Sequence, residues 1–80
     1  MGYYERLWQF YPIIDRNQKL KVVKIYLELQ QSETVYEGDA FTLFANADEL
    51  VDITNKYVLD MWQSNADQSV LVILIKDEEE

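Results

Sequence analysis

The residues of this chain that could do chemistry are almost all carboxylates. Asp and Glu number 15, whereas His and Cys are both absent. The chain therefore lacks a thiolate nucleophile, a thiolate metal site and an imidazole base, and Ser32, Ser64 and Ser69 have no histidine to activate them. Paired carboxylates could cleave glycosidic bonds, but 80 residues can hardly supply both a sugar cleft and a core. We expect a protein that is not an enzyme.

Three of these carboxylates, Asp48, Glu49 and Asp52, lie close together in the sequence and could bind a hard cation such as calcium. No loop with calcium-ligand spacing accompanies them, and acidic residues in the first turn of a helix also complement its dipole. Two glycines cannot form a phosphate-binding loop of the Walker or dinucleotide type. The sequence therefore predicts neither a metal nor a cofactor.

Charge divides the chain into two unequal parts. Residues 1–24 hold five basic and two acidic residues, a net of +3, and the remainder holds 13 carboxylates against two lysines, a net of −11. Together they make −8, which should repel phosphate backbones and anionic lipid surfaces. We expect no direct binding to nucleic acid or membranes. The charge is consistent with a functional acidic face or with solubility alone.

A helix is expected from Ala47 to Gln63. Asn46 is a good N-cap, and the acidic residues after it suit the positive end of a helix dipole. At about 100° per residue, one half of this helix is apolar and the other carries Asp48, Asp52 and Asp60. Leu59 falls within the polar half, where it would be exposed.

Strands are expected on either side of this helix. Apolar residues alternate from Val23 to Leu29 within a β-rich segment, 19–31, and a polar turn at 31–34 leads to a return strand over 35–45, with a bulge or break near Gly38. The aromatic segment 7–14 matches both a helix and a strand template, and we favour an edge strand because it is rich in aromatic and β-branched residues. Pro12 is compatible with an edge.

The last strand, 69–76, contains six consecutive apolar residues, Val70 to Ile75. Both faces of such a strand require burial, and one helix covers only one face of a sheet. The pattern predicts a homodimer or a larger complex unless the N-terminal segment covers the second face. The fold class is α+β: a small antiparallel or mixed sheet of about four strands with one main helix, in the order β-β-β-α-β, as a single domain over residues 1–80.

These features favour a non-catalytic module that binds the basic surface of another protein. Such a module could imitate the charge pattern of nucleic acid, as small phage-borne inhibitors do, with carboxylates in place of phosphates. With no leader-like or membrane-spanning apolar run, it would act in the cytoplasm, that of the host cell if phage-encoded. The residues expected to bind the partner are Asp48, Glu49, Asp52, Leu59, Asp60 and the acidic tail Asp77, Glu78, Glu79 and Glu80.

The alternative is a structural or assembly subunit. In that interpretation the aromatic face of the sheet, and not the carboxylates, meets another copy or a larger complex. An inhibitor of a basic partner should lose affinity as salt is raised, whereas an assembly subunit should self-associate.

Overall fold

The structure is a computed structural model that describes residues 5–26, 28–67 and 69–76. It contains one 3₁₀ helix, two short α-helices and four strands. In chain order they are the 3₁₀ helix (Leu7–Ile13), β1 (Lys19–Tyr26), β2 (Gln31–Asp39), α1 (Ala40–Ala45), α2 (Val51–Thr54), β3 (Tyr57–Gln63) and β4 (Val70–Lys76).

The four strands form one mixed sheet in the order β2-β1-β4-β3. The central pair, β1 and β4, is parallel, and each edge strand is antiparallel to its neighbour. The predicted α+β class with a four-stranded mixed sheet is confirmed. The predicted central position of the last strand is also confirmed, because six consecutive apolar residues are most stable with neighbours on both edges.

All three helices pack on one face of the sheet, which we call the covered face. Leu7 from the 3₁₀ helix and Leu43 from α1 are fully buried in one cluster with Val22 of β1 and Ile73 and Ile75 of β4. Residues Phe10, Leu50 and Ile53 pack against this cluster. The hydrophobic core therefore lies between the helical segments and this one side of the sheet.

The predicted helix over 47–63 is wrong. Residues 46–50 form turns, α2 spans only Val51–Thr54, and Tyr57–Gln63 is the edge strand β3. Asn46, the predicted N-cap, is the C-cap of α1. The segment from Tyr57 to Trp62 is rich in aromatic and apolar residues that suit a strand, and β4 offers it a full antiparallel ladder. Long-range pairing therefore prevails over local helical periodicity.

The predicted N-terminal edge strand over 7–14 is also wrong. The segment forms the 3₁₀ helix, and only Arg6 pairs with the sheet, through an isolated antiparallel bridge to Tyr57. The Arg6 backbone N–H donates to Gln9 Oε1 at 2.6 Å, which starts the helix. Pro12 cannot donate to a strand ladder, and three residues per turn bring Leu7 and Phe10 to the same side, facing the core.

The hairpin predicted after the first strand is confirmed, but its boundaries differ. β2 already begins at Gln31 in the expected turn, because the turn lies earlier, where Gln30 takes a positive φ of 52°. The return strand ends at Asp39, beside the expected break at Gly38, and α1 follows instead of further strand. Asp39 caps α1, since its Oδ1 accepts from the Thr42 backbone N–H at 2.7 Å.

Candidate functional site: the open face of the sheet

The second side of the sheet, which we call the open face, is defined by the strand register. Paired residues of neighbouring strands share a face, and residues alternate along each strand except at the two bulges. The open face consists of Lys19, Lys21, Val23 and Ile25 of β1, Val70, Val72, Leu74 and Lys76 of β4, Tyr57, Asp60 and Trp62 of β3, and Ser32, Thr34, Glu37 and Asp39 of β2.

No helix of the described residues packs on the open face. The cluster that joins the helices to the sheet contains Leu20, Val22, Ile73 and Ile75 but none of the open-face residues that alternate with them. The described part of the N-terminal segment packs on the covered face, where it contacts α1 and α2. Within residues 5–26, 28–67 and 69–76, the second layer that the last strand requires is therefore absent.

An apolar strip runs across the middle of the open face. It consists of Val23, Ile25, Val70, Val72, Leu74 and Trp62. Val72, which faces away from the helices, is only 7% exposed, whereas Trp62, its partner on β3, is 43% exposed. A tryptophan beside valine and leucine on a flat surface is typical of a protein interface.

The charges that the described residues place on the open face are nearly balanced, in contrast to the whole chain. By register the face carries the cations Lys19, Lys21 and Lys76 and the carboxylates Glu37, Asp39 and Asp60. The Arg6 bridge to Tyr57 adds a fourth cation at the outer edge of β3. Four of the seven basic residues of the chain, but three of the 11 acidic residues that the structure describes, thus lie on this face.

Arg6 also fastens the N-terminal segment to the edge of β3. Its guanidinium donates to the Asn55 carbonyl at 2.8 Å and to the Tyr57 hydroxyl at 3.3 Å, and lies 4.8 Å from the centre of the Tyr57 ring. Backbone hydrogen bonds from Leu7 N–H to the Lys56 carbonyl and from Val58 N–H to the Glu5 carbonyl flank it. The 3₁₀ helix is thereby held over the covered face.

At one end of the open face lies a shallow depression of about 320 Å³. Its lining includes Lys19, Lys21, Glu37, Gly38 and Val70. Gly38 leaves room for Tyr36, whose hydroxyl donates to the Asp39 carbonyl at 2.8 Å; a Cβ at Gly38 would lie 2.7 Å from that hydroxyl oxygen. The depression is open to solvent and could receive one side chain of a docked partner.

Two carboxylates and one phenol near the ends of the strands have shifted pKa values. Hydrogen bonds from the Thr42 side chain and backbone lower the pKa of Asp39. Bonds from the side chain and backbone of Ser69 likewise lower the pKa of Asp67 in the β3–β4 loop. Burial, and secondly the charge of Asp39, raise the pKa of Tyr36. These shifts follow from capping and packing, which are structural roles.

The predicted partner-binding residues do not form one surface on a helix. Asp48 and Glu49 lie in the turns between α1 and α2, and Asp52 lies in α2. Asp60 is on the open face of β3, and Leu59 is the extra residue of a β-bulge, partly buried instead of exposed. The tail Asp77, Glu78, Glu79 and Glu80 lies outside the described residues.

Sequence reasoning missed the residues that now form the candidate surface. Trp62 lies within the expected helix over 47–63, and the sequence does not assign Val72 and Leu74 to one face or the other of the last strand. The signal was present in the uninterrupted run Val70–Ile75, whose alternate residues must face opposite sides of the sheet.

No group of three or more metal-ligating side chains is assembled anywhere in the described part of the chain. No described helix is long and apolar enough to cross a membrane. Comparison of the chain with protein-family models, with curated proteins and with solved structures gives no match.

Proposed function

We propose that this chain is a non-catalytic protein-binding module and that it docks its partner on the open face of the sheet. The observation that carries the proposal is the apolar strip on the side of the sheet opposite the helices, on which no described helix packs and in which Trp62 is 43% exposed. Solvent-exposed apolar patches bounded by polar residues are typical of interaction surfaces. The partner is expected to present an apolar surface of low net charge.

The acidic residues support this proposal only indirectly. Imitation of a phosphate backbone requires carboxylates held in a regular array, and the helix expected to hold Asp52 and Asp60 together does not form. The acidic residues outside the open face keep the module soluble while its apolar strip is exposed. We therefore favour the open face as the binding surface over the acidic array.

The proposal is tested by capture from a lysate of the source cells with three tagged forms: the parent, Leu74→Lys and Val51→Lys. Val51 is 48% exposed on α2, on the helical side of the molecule, so Val51→Lys adds the same charge away from the open face. We expect the parent and Val51→Lys to retain the same protein and Leu74→Lys to lose it. A partner held by the apolar strip should stay bound in high salt.

Equal capture by Leu74→Lys and the parent, with both folded by circular dichroism, would contradict the proposal. So would a parent complex that dissociates as salt is raised, because a salt-sensitive complex indicates the acidic residues instead.

A further inference from the structure

We infer that the occupant of the open face is a second copy of this chain, packed sheet on sheet about a two-fold axis. This inference rests on the proposed function, because it names the partner of the same surface. It is carried by three features of the open face: its charge balance, the position of its apolar strip and its area.

Charge balance favours a second copy. Each copy carries −8, so two copies repel each other wherever their acidic surfaces approach. Among the described residues of the open face, four cations stand against three carboxylates, so this is a surface where two copies can meet with little repulsion. A strongly basic partner would be drawn to the acidic remainder of the surface, and a strongly acidic one would be repelled by the whole chain. A partner with the same balance of charges fits this face best.

The apolar strip lies where a two-fold arrangement needs it. A two-fold interface brings the same patch of both copies together, so the patch must be compatible with itself. The strip is centred on β1 and β4, the middle strands of the sheet. When two such sheets stack about 10 Å apart, middle strands face middle strands whichever way the axis runs in the interface plane. Val23, Val72 and Leu74 then lie at the centre of the interface, with Lys21 of β1 beside Val72, and the carboxylates Glu37, Asp39 and Asp60 lie on the edge strands.

The area of the face is sufficient for a weak dimer. Four strands about 4.8 Å apart, with seven residues of about 3.3 Å each, make a face about 19 Å wide and 23 Å long. Two such faces bury on the order of 1,000 Å² in total, the lower limit for a specific interface. We expect a Kd on the order of 10 μM.

The dimer is tested by sedimentation equilibrium on the purified full chain from about 1 to 500 μM, a range that brackets this Kd. We expect the parent and Val51→Lys to shift from monomer to dimer over this range. Leu74→Lys, and independently the more exposed Trp62→Lys, should weaken the dimer at least about tenfold, because each replaces an apolar contact of the interface with a further charge. Two open-face variants keep the test decisive if one of them fails to fold.

Salt gives a second measurement of the parent. Raising salt from about 0.05 to 0.5 M screens the repulsion between two acidic copies and leaves the apolar contact intact, so the dimer should become tighter. A dimer that weakens with salt would contradict packing through the apolar strip.

Tryptophan fluorescence locates the interface. The chain has two tryptophans, and Trp8→Phe leaves only Trp62. Emission of this variant should shift to shorter wavelength as its concentration rises, because dimerisation buries Trp62. The same change combined with Leu74→Lys should show no shift. A dimer in which Trp62 emission stays constant would place the contact elsewhere and overturn the inference.

Failure of this inference can be told apart from failure of the proposed function. A parent that stays monomeric at about 500 μM overturns the second copy as occupant. If Leu74→Lys still abolishes capture from the lysate, the open face binds a different protein and the proposed function stands. If Leu74→Lys changes neither the oligomeric state nor capture, both proposals are wrong.

Discussion

The two faces of the sheet are built from the same strands and differ in what covers them. On the covered face, Val22, Ile73 and Ile75 are fully buried beneath the three helices. On the open face, Val72 and Leu74 alternate with those residues along β4 and are equally apolar, yet no described helix contacts them. Removing an apolar side chain from water is favourable on either face of a sheet. A sheet that is apolar on both sides but covered on only one therefore retains an apolar surface that a partner can bind.

The largest expected difference between the faces is in stability. Ile73→Ala removes a fully buried side chain from the covered face and should lower the free energy of unfolding by about 2–5 kcal/mol. Leu74→Ala removes a side chain of similar size from the partly exposed open face and should cost about 1 kcal/mol. Urea unfolding at a concentration that keeps the chain monomeric measures both.

Ile73 and Leu74 are neighbours on one central strand, so the loss of β propensity on changing either to alanine is similar and largely cancels in the comparison. Equal losses from the two changes would mean that the monomer itself covers the open face, and the distinction between the faces would disappear.

A smaller loss of stability is expected when the 3₁₀ helix is held less firmly over the covered face. Arg6→Ala removes the hydrogen bonds to Asn55 and Tyr57 and the stacking on the Tyr57 ring, and should lower the free energy of unfolding by about 1–2 kcal/mol. Arg6→Lys should recover only part of this, because an ammonium cannot reproduce the planar donor pattern. Thermal unfolding of the three forms measures the effect, and full recovery with lysine would show that only the charge matters.

The smallest expected effect is a pH dependence at the cap of α1. Hydrogen bonds from Thr42 lower the pKa of Asp39, so the folded state binds a proton there less readily than the unfolded state. The resulting stabilisation is complete above the ordinary carboxyl value of 3.8 and is lost as pH falls through the lower folded value. Asp39→Asn should therefore lose less stability on acidification than the parent.

Asp67→Asn is the matched comparison for this change. The pKa of Asp67 is also lowered, by Ser69, but the residue lies in the β3–β4 loop and supports no helix. Urea unfolding at a series of acidic pH values should show a shallower acid dependence for both variants than for the parent. Identical acid profiles for Asp39→Asn and the parent would show that the Asp39 cap does not contribute to stability.

Some of the fold could be predicted from local patterns. Alternating apolar residues from Val23 onward indicated a strand, and Val70–Ile75 indicated a central strand, because both patterns follow from the geometry of a single strand. The predictions for segments 7–14 and 47–63 are wrong because each segment fits both a helical and a strand period. For such segments the partner in space decides, and β4 offers Tyr57–Gln63 a ladder that no local pattern reveals.

The candidate surface was only half predictable. The run Val70–Ile75 required two dry faces, and this requirement already indicated that the chain needs a partner or a second layer. The sequence predicts that Asp60 shares the polar half of a helix with Asp52, but on β3 it stands beside Leu74 on the open face. Residues such as Trp62 and Val72 could not be named, because the strand register decides which residues meet.

The order of amino acids is enough to specify an acidic chain without the side chains of most catalytic sites, and a strand that is apolar on both sides. That the 3₁₀ helix, α1 and α2 all lie on one face of the sheet follows only from the folded arrangement. Burial of apolar surface is not directional, so the run Val70–Ile75 requires cover on both sides but does not specify which segment supplies it. That choice depends on chain connectivity and on backbone hydrogen bonds between residues far apart in sequence, such as the one from the Val58 N–H to the Glu5 carbonyl.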